Sequence, residues 1–470
     1  MSLSQQALEQ ALAAVVGPDR VKTDVESFEQ FGKDWTRVYD PSPSAVVFPG
    51  SAEEVQALVR LANEHRIALV PSGGRTGLSG GAVAAQGEVV VAFDRMNRIL
   101  DFNPVDRQVV CEPGVITEQL QQFAADNGLF YPVDFASSGS SQLGGNVATN
   151  AGGIKVIRYG LTRDWVMGMK VVTGKGDLLE LNHGLIKNAT GYDLRHLFVG
   201  SEGTLGFIVE LTMGLASVPR DPTVLVLGLD SMECTMEVLK AFQASMDITA
   251  FEFFSERALR HVMAEKGLQR PFDTETAFYA LIEFENTGET VLEQAMGVFE
   301  HCMEQGWVLD GTMSQSSTQA ETLWRLREDI SETISRFTPY KNDISVQVSR
   351  VPAFLTAVDE IVTSRYPDFE IIWFGHIGDG NVHLNILKPD DLPKEEFFRK
   401  CHEVSYDIFD AVQQFRGSIS AEHGVGLLKK PYLSYSRSES EIEYMRAMKQ
   451  VFDPAGIMNP GKVFDQKRSN

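Results

Sequence analysis

The chain has 470 residues, 43% apolar and 23% charged, a soluble globular composition too long for one compact core, so two or three domains are expected. Its formal net charge of −22 disfavours nucleic acid and anionic membrane as partners, and it demands local cations or a metal wherever an anionic ligand is held. The four cysteines, Cys111, Cys234, Cys302 and Cys401, form no CxxC pair, which argues against a disulfide framework or a thiolate metal site and for a reducing, cytoplasmic compartment.

No apolar run is long enough to span a bilayer. The first residues lack the basic and apolar segments of a secretory signal. Leu8, Leu12 and Val15 share one face of a helix over 1–16, which Gly17-Pro18 stops. A strand over 45–48, a helix to His65 opened by a Ser51/Glu54 capping box, and a strand over 67–71 make a β-α-β unit. It runs into Pro71-Ser72-Gly73-Gly74-Arg75-Thr76-Gly77-Leu78-Ser79-Gly80-Gly81. A strand over 89–93 follows. Thr117 is placed to cap the next helix, and Gly128 to end it. A second glycine-rich stretch occupies 137–153. Segments 169–173 and 178–181 read as a hairpin about Gly174-Lys175-Gly176-Asp177. A third cluster, Gly200-Ser201-Glu202-Gly203-Thr204-Leu205-Gly206, opens a strand over 207–212.

After Pro219 glycine thins out, and a domain boundary is expected near residue 220. Strands are predicted over 223–229, 278–285, 344–348 and 370–374, and helices over 231–246, 290–305, 321–336, 351–362 and 395–415. A Ser440/Glu443 capping box predicts a last helix through Val451, followed by a tail containing Asn459.

Glycine lets backbone approach a ligand closely and turn several N–H groups towards one anion. No GxxxxGK[ST] exists, and the Gly-x-Gly triplets at Gly174, Gly378 and Gly424 lack the third glycine of a dinucleotide fingerprint. Any one of the loops reads equally well as a surface turn. Three of them in one domain, two with runs of serine, threonine and asparagine, favour a phosphate-bearing cofactor.

The densest chemistry is Gly375-His376-Ile377-Gly378-Asp379-Gly380-Asn381-Val382-His383-Leu384-Asn385. Gly378-Asp379-Gly380-Asn381 between apolar runs is hairpin chemistry, and a hairpin folds His376 towards His383. Ala421-Glu422-His423-Gly424 adds a carboxylate and a third imidazole that an extended backbone sends to opposite faces. Two histidines and a carboxylate suit a divalent ion, with Asp379 a competing carboxylate. The residues alone leave metal-binding and structural roles evenly open. Arg327 and Ser331 lie four apart, with Lys341 after the turn at Pro339; spacing alone favours a solvated, salt-bridged helix face there.

Residues 71–81, 144–153 and 202–210 resemble the FAD domain of the vanillyl-alcohol oxidase and p-cresol methylhydroxylase flavoproteins, and the likeness runs from about residue 40 to the C-terminus. It implies an α+β fold: a two-subdomain FAD-binding domain over 1–219, an α+β substrate and metal-binding cap domain with an antiparallel sheet over 220–425, and a segment 426–470 packing back near the flavin. It implies FAD contacts at Pro71, Ser72, Gly73, Gly74, Arg75, Thr76, Gly77, Gly144, Gly145, Asn146, Thr149, Asn150, Gly153, Glu202, Gly203, Ile208 and Asn459. Some relatives attach flavin through a histidine in the first loop; Arg75-Thr76 stands there in this chain, so FAD is expected to be non-covalent.

The two histidine motifs resemble the metal-containing D-2-hydroxy-acid dehydrogenase branch of that family. The resemblance implies that His376, His383 and Glu422 bind zinc or another divalent ion, that His423 is the base, and that Asn385 touches substrate. Arg327, Ser331 and Lys341 resemble the residues that hold the distal carboxylate of D-2-hydroxyglutarate, with serine where threonine often stands. The implied reaction is oxidation of D-2-hydroxyglutarate to 2-oxoglutarate, with hydride passing to flavin and electrons onward to a soluble acceptor such as electron-transfer flavoprotein. Oxidation of D-lactate or D-malate ranks next. A redox-neutral transferase like the alkylglycerone-phosphate synthases and a non-catalytic flavin- and metal-binding protein are further alternatives. A homodimer is the default assembly.

Overall fold

The computed structural model describes residues 3–36 and 38–466. The chain forms two compact units, one of residues 1–152, 161–218 and 422–470, the other of 153–160 and 219–421. Helices and largely antiparallel sheets make an α+β fold in which each unit has its own sheets.

The first unit contains a four-stranded sheet in the order Val21–Lys22, Ala45–Val47, Val89–Ala92, Leu69–Ser72, with the last three strands parallel. Parallel neighbours need a crossover, and helix Ala52–His65 supplies it. Its N-cap is Ser51, whose Oγ accepts from the Glu54 N–H. The predicted box closes only halfway, because the Glu54 carboxylate accepts instead from Arg20 and from the Gly50 N–H. A five-stranded antiparallel sheet follows the order Ile99–Asn103, Gln108–Cys111, Gly206–Gly214, Val166–Thr173, Leu178–Leu181. The predicted hairpin joins its last two strands, and Gly176 takes the positive φ of 85° that the turn requires. Val47, Val59, Val91, Phe207 and Met458 share one core, and Cys111, Leu120, Tyr131, Phe198 and Leu211 share another. Each buried valine, leucine, phenylalanine or methionine among them contributes roughly 1.5–3 kcal/mol of hydrophobic stabilisation.

The second unit is built on one seven-stranded antiparallel sheet, in the order Asp310–Met313, Pro222–Leu229, Phe278–Glu285, Ile248–Ser255, Glu370–Gly375, Asn381–Leu387, Tyr340–Ser345. Helices Glu256–Lys266, Ser317–Glu328 and Ile330–Ile334 cover one face through Leu259, Val262, Leu323, Trp324, Ile330 and Ile334.

Four local expectations need correction. The helix expected over 321–336 breaks at Asp329, a residue whose short polar side chain suits helix ends better than interiors. The strand expected over 344–348 lies at Tyr340–Ser345. The last helix, Glu439–Phe452, is capped by a Ser438/Glu441 box two residues before the one predicted. Thr117 is not an N-cap; Ile116 is. The buried Thr117 hydroxyl lies 2.8 Å from Ser141 Oγ and accepts from Asn146 Nδ2 at 2.6 Å, tying that helix to the second glycine stretch. Among the described residues no helix is long and apolar enough to cross a membrane.

Candidate active site

In the first unit the three glycine clusters, far apart in sequence, meet. A Cβ on Gly74 would lie 2.3 Å from the Ser140 carbonyl oxygen, and one on Gly203 would lie 2.5 Å from Pro71 Cγ. Only glycine permits these approaches. The second stretch contains a short helix, Leu143–Thr149, ended by Asn150 at φ 53°. A Cβ on Gly144 would strike Pro113, whereas one on Gly145 would meet nothing within 4 Å. The tail completes the arrangement. Met458 bridges to Leu69, and the Asn459 N–H donates to the Leu69 carbonyl. The buried Asn459 Nδ2 donates to Gly81 O at 2.9 Å and Glu202 O at 2.7 Å, joining the first cluster to the third.

Several side chains expected to face FAD serve the fold itself. Arg75, at φ 61°, forms a two-pronged ion pair with Asp94 and lies over the Phe31 ring. Ser72 Oγ donates to Phe31 O, Thr149 Oγ1 to Gly145 O, and Asn150 Oδ1 accepts from the Arg163 N–H. Glu202 accepts from the Val425 and Gly426 N–H groups at 2.7 and 2.8 Å, and burial pushes its carboxyl up to about 6. It thereby fixes the segment that carries His423. Pro71 and Gly73 lie with Gly74 in the first cluster, Gly77 accepts from the Trp35 N–H beside Thr76, and Ile208 is buried in the antiparallel sheet. Gly153 belongs to the second unit. Two buried acceptors, Gln142 Oε1 and Asn459 Oδ1, have no hydrogen-bond partner among the described residues. Orphaned acceptors beside glycine cradles fit a ligand that brings its own donors and phosphates, as FAD does.

In the second unit the Gly378-Asp379-Gly380-Asn381 turn links strands Glu370–Gly375 and Asn381–Leu387, with Phe374 paired to His383. Gly380 adopts φ 85° where a Cβ would lie 2.1 Å from Val346 O. The His376 and His383 rings stand edge to face with centroids 5.3 Å apart. Cross-strand partners share a sheet face. Lys341 pairs with Asn385 and Asp343 with His383, so these four side chains line one face. Phe254 pairs with Phe374, which puts Glu252 on that face as well.

Glu252, 1% exposed, lies within 2.8 Å of both His376 Nδ1 and Arg327 Nη2. The arginine contact is an ion pair without hydrogen-bond alignment, so Arg327 Nε and Nη2 stay buried with no hydrogen-bond partner. Lys341 Nζ donates to Ser331 Oγ at 3.1 Å. Although Lys341 is solvent-exposed, the protein around it pulls its ammonium pKa down by desolvation. Asp343 accepts from Asn381 Nδ2 and the Ala421 N–H, and Ser418 exchanges two backbone hydrogen bonds with Ser345. Segment 418–421 is thus held on the edge of the sheet, and Glu422 follows directly. His376, His383 and Glu422 each offer a ligand atom, all within 4.8 Å of one another. Two imidazoles and one carboxylate at that spacing fit a divalent ion with positions left for substrate. Neither Glu252 nor Asp343 was singled out by motif. The one signal for Glu252 was a lone charge inside the apolar run Ile248–Ser255.

A unit knit by glycine in a way that suits FAD, and a sheet bearing a histidine pair, together define a flavoprotein of the FAD-linked oxidase class. Residues 43–182 match the family of FAD binding domains, and residues 218–463 match the C-terminal domain of FAD linked oxidases. The chain is 65% identical over 462 residues to a D-2-hydroxyglutarate dehydrogenase of Stutzerimonas stutzeri, covering 98% of this chain and 100% of that one. It is 53% identical to the protein of that name from Xanthomonas citri, covering 98% and 96%. A p-cresol methylhydroxylase structure with bound substrate superposes with a TM-score of 0.75 at 16% identity, covering 98% of this chain and 97% of the other, a likeness of fold. The chain belongs to the family of FAD-dependent D-2-hydroxyglutarate dehydrogenases. It is a flavoprotein dehydrogenase.

Proposed function

We propose that this enzyme oxidises D-2-hydroxyglutarate to 2-oxoglutarate with non-covalent FAD and a divalent ion, zinc in the first instance. The observation that carries this reading is that two kinds of anion holder gather around the sheet face that bears His383 and Lys341. His376 and His383, with Glu422, suit the 2-hydroxy-carboxylate end. Lys341 with Ser331, and the buried Arg327 with its unpartnered donors, suit a second carboxylate. The names of its relatives support the same substrate.

When bound, the flavin supplies a two-electron acceptor and the ion a Lewis acid at the hydroxyl and carboxylate of the acid. His423 takes the hydroxyl proton as the C2 hydride departs to the flavin, the general-base role a histidine side chain can fill. Asn385 donates its amide to the substrate. The loops at Pro71–Gly77 and 144–153, with Glu202, Gly203, Ile208 and Asn459, hold FAD, chiefly through backbone groups, because so many of the side chains are committed within the protein. In this reading residues 1–219 are the FAD-binding domain, 220–425 carry substrate and metal, and 426–470 close on the flavin. Electrons leave to a soluble acceptor such as electron-transfer flavoprotein in the cytoplasm, from a protein that works as a homodimer.

Anaerobic mixing of the yellow protein with D-2-hydroxyglutarate tests the reaction. The flavin band is expected to bleach within one turnover, and 2-oxoglutarate to appear in equal amount. Bleaching by D-lactate alone would move the substrate assignment, and no bleaching by any 2-hydroxy acid would end it.

A further inference from the structure

We infer that Glu252 is a positioning residue that serves the metal ligand His376 and the substrate cation Arg327 with its two oxygens. The inference rests on the metal and substrate assignments proposed above. An ionised carboxylate only accepts hydrogen bonds. With Oε1 at 2.8 Å from His376 Nδ1, the imidazole proton belongs on Nδ1 and the ring's lone pair on Nε2. A carboxylate behind the ring also makes the ligating nitrogen more basic.

The other oxygen lies 2.8 Å from Arg327 Nη2. A buried guanidinium without a counter-charge is strongly disfavoured, so Glu252 is what lets Arg327 stay buried over the Phe374 ring, 4.8 Å from its centroid. The ion pair is not aligned as a hydrogen bond, and Arg327 Nε and Nη2 remain open donors. Glu252 therefore balances the charge of Arg327 without using up the donors a substrate carboxylate needs. One residue on strand Ile248–Ser255 thus couples tautomer choice at the metal ligand to cation placement for the substrate.

Glu252→Gln separates this role from that of a core counter-ion. An amide has one acceptor and one donor end. Turned either way, it presents N–H groups to one of two donors, so His376 or Arg327 loses its partner. Zinc retained per folded chain is measured at buffered free zinc, alongside His376→Ala. Zinc affinity is expected to fall about 10–100-fold in Glu252→Gln. The KM for D-2-hydroxyglutarate is expected to rise by a larger factor than the KM for D-lactate. Wild-type zinc affinity in Glu252→Gln with zinc lost in His376→Ala overturns the role of Glu252 and spares the metal site. Zinc kept by both variants overturns the metal site and this role together. If the variant does not fold, histidine nitrogen NMR of the zinc-loaded wild type decides: a proton on His376 Nδ1 is expected, and one on Nε2 overturns the inference.

Discussion

At the scale of single residues, Glu202 ties the third glycine cluster to the backbone just after His423. Its carboxylate is buried, and two N–H donors only partly offset the desolvation that raises its pKa from 4.5 to about 6. The folded protein therefore holds this proton more tightly than the unfolded chain does. The stabilisation it brings is complete below pH 4.5 and is lost as pH rises through about 6. That gap corresponds to roughly 2 kcal/mol. Denaturant unfolding of wild type and Glu202→Gln at pH 4.5 and pH 7 reads it, because groups common to both cancel in the difference. Wild type is expected to lose about 1.5 kcal/mol more than the variant between those pH values, because the unfolded carboxyl is already half-ionised at pH 4.5; equal losses would show that Glu202 titrates normally. Glu202 was legible as part of a glycine cluster but not in its role. Sequence spacing cannot show that its acceptors are taken by Val425 and Gly426, residues more than two hundred positions away. Arg75 gives the same lesson, since its ion pair with Asp94 depends on how the first loop folds back.

At the scale of elements, the C-terminal helix and tail act as a clamp. Lys449, near the end of helix Glu439–Phe452, is buried and donates to Asp453 Oδ2, Thr204 O and Met458 O at 2.7–2.8 Å. Asp453, fully buried, accepts in turn from the Ile457 and Met458 N–H groups. This holds Asn459 against Gly81 and Glu202. Asp453→Ala leaves the Lys449 charge buried without its partner, which destabilises by about 3–5 kcal/mol. The expected result is a lower unfolding midpoint and a lower flavin-to-protein absorbance ratio, with the tail newly open to limited proteolysis. A full flavin ratio would detach the clamp from the cofactor. Elements were legible where a local rule fixes them. The Gly-Asp-Gly-Asn turn gave the histidine hairpin, because it needs glycine at φ 85°. Strand Ile248–Ser255 was invisible, because all eight residues are buried and no alternation marks two faces. Glu252 was hidden with it.

At the scale of the whole molecule, the glycine-thin texture after Pro219 marks one passage between units, whereas the passages at 152–153, 160–161 and 421–422 carry no change of composition. The net charge of −22 demands local cations wherever an anionic ligand is held, and the ones proposed for that role, Arg327 and Lys341, stand with the histidine pair on the second unit. Nearly all residues proposed for FAD belong to the first unit; of the proposed metal ligands His376 and His383 belong to the second and Glu422 to the first, and none of the three is a proposed FAD contact. Flavin retention and metal retention should therefore separate. Dialysis against a chelator is expected to leave the flavin spectrum and the flavin-to-protein ratio unchanged, because no proposed metal ligand is among the proposed FAD contacts. Dithionite should still bleach the flavin, whereas D-2-hydroxyglutarate should not, since the substrate loses its Lewis acid while the electron acceptor stays intact. Added zinc should restore bleaching by the acid. Flavin released together with the metal would mean that the ion supports the cofactor site, and unchanged bleaching in metal-free protein would mean that His423 and the local cations suffice without it.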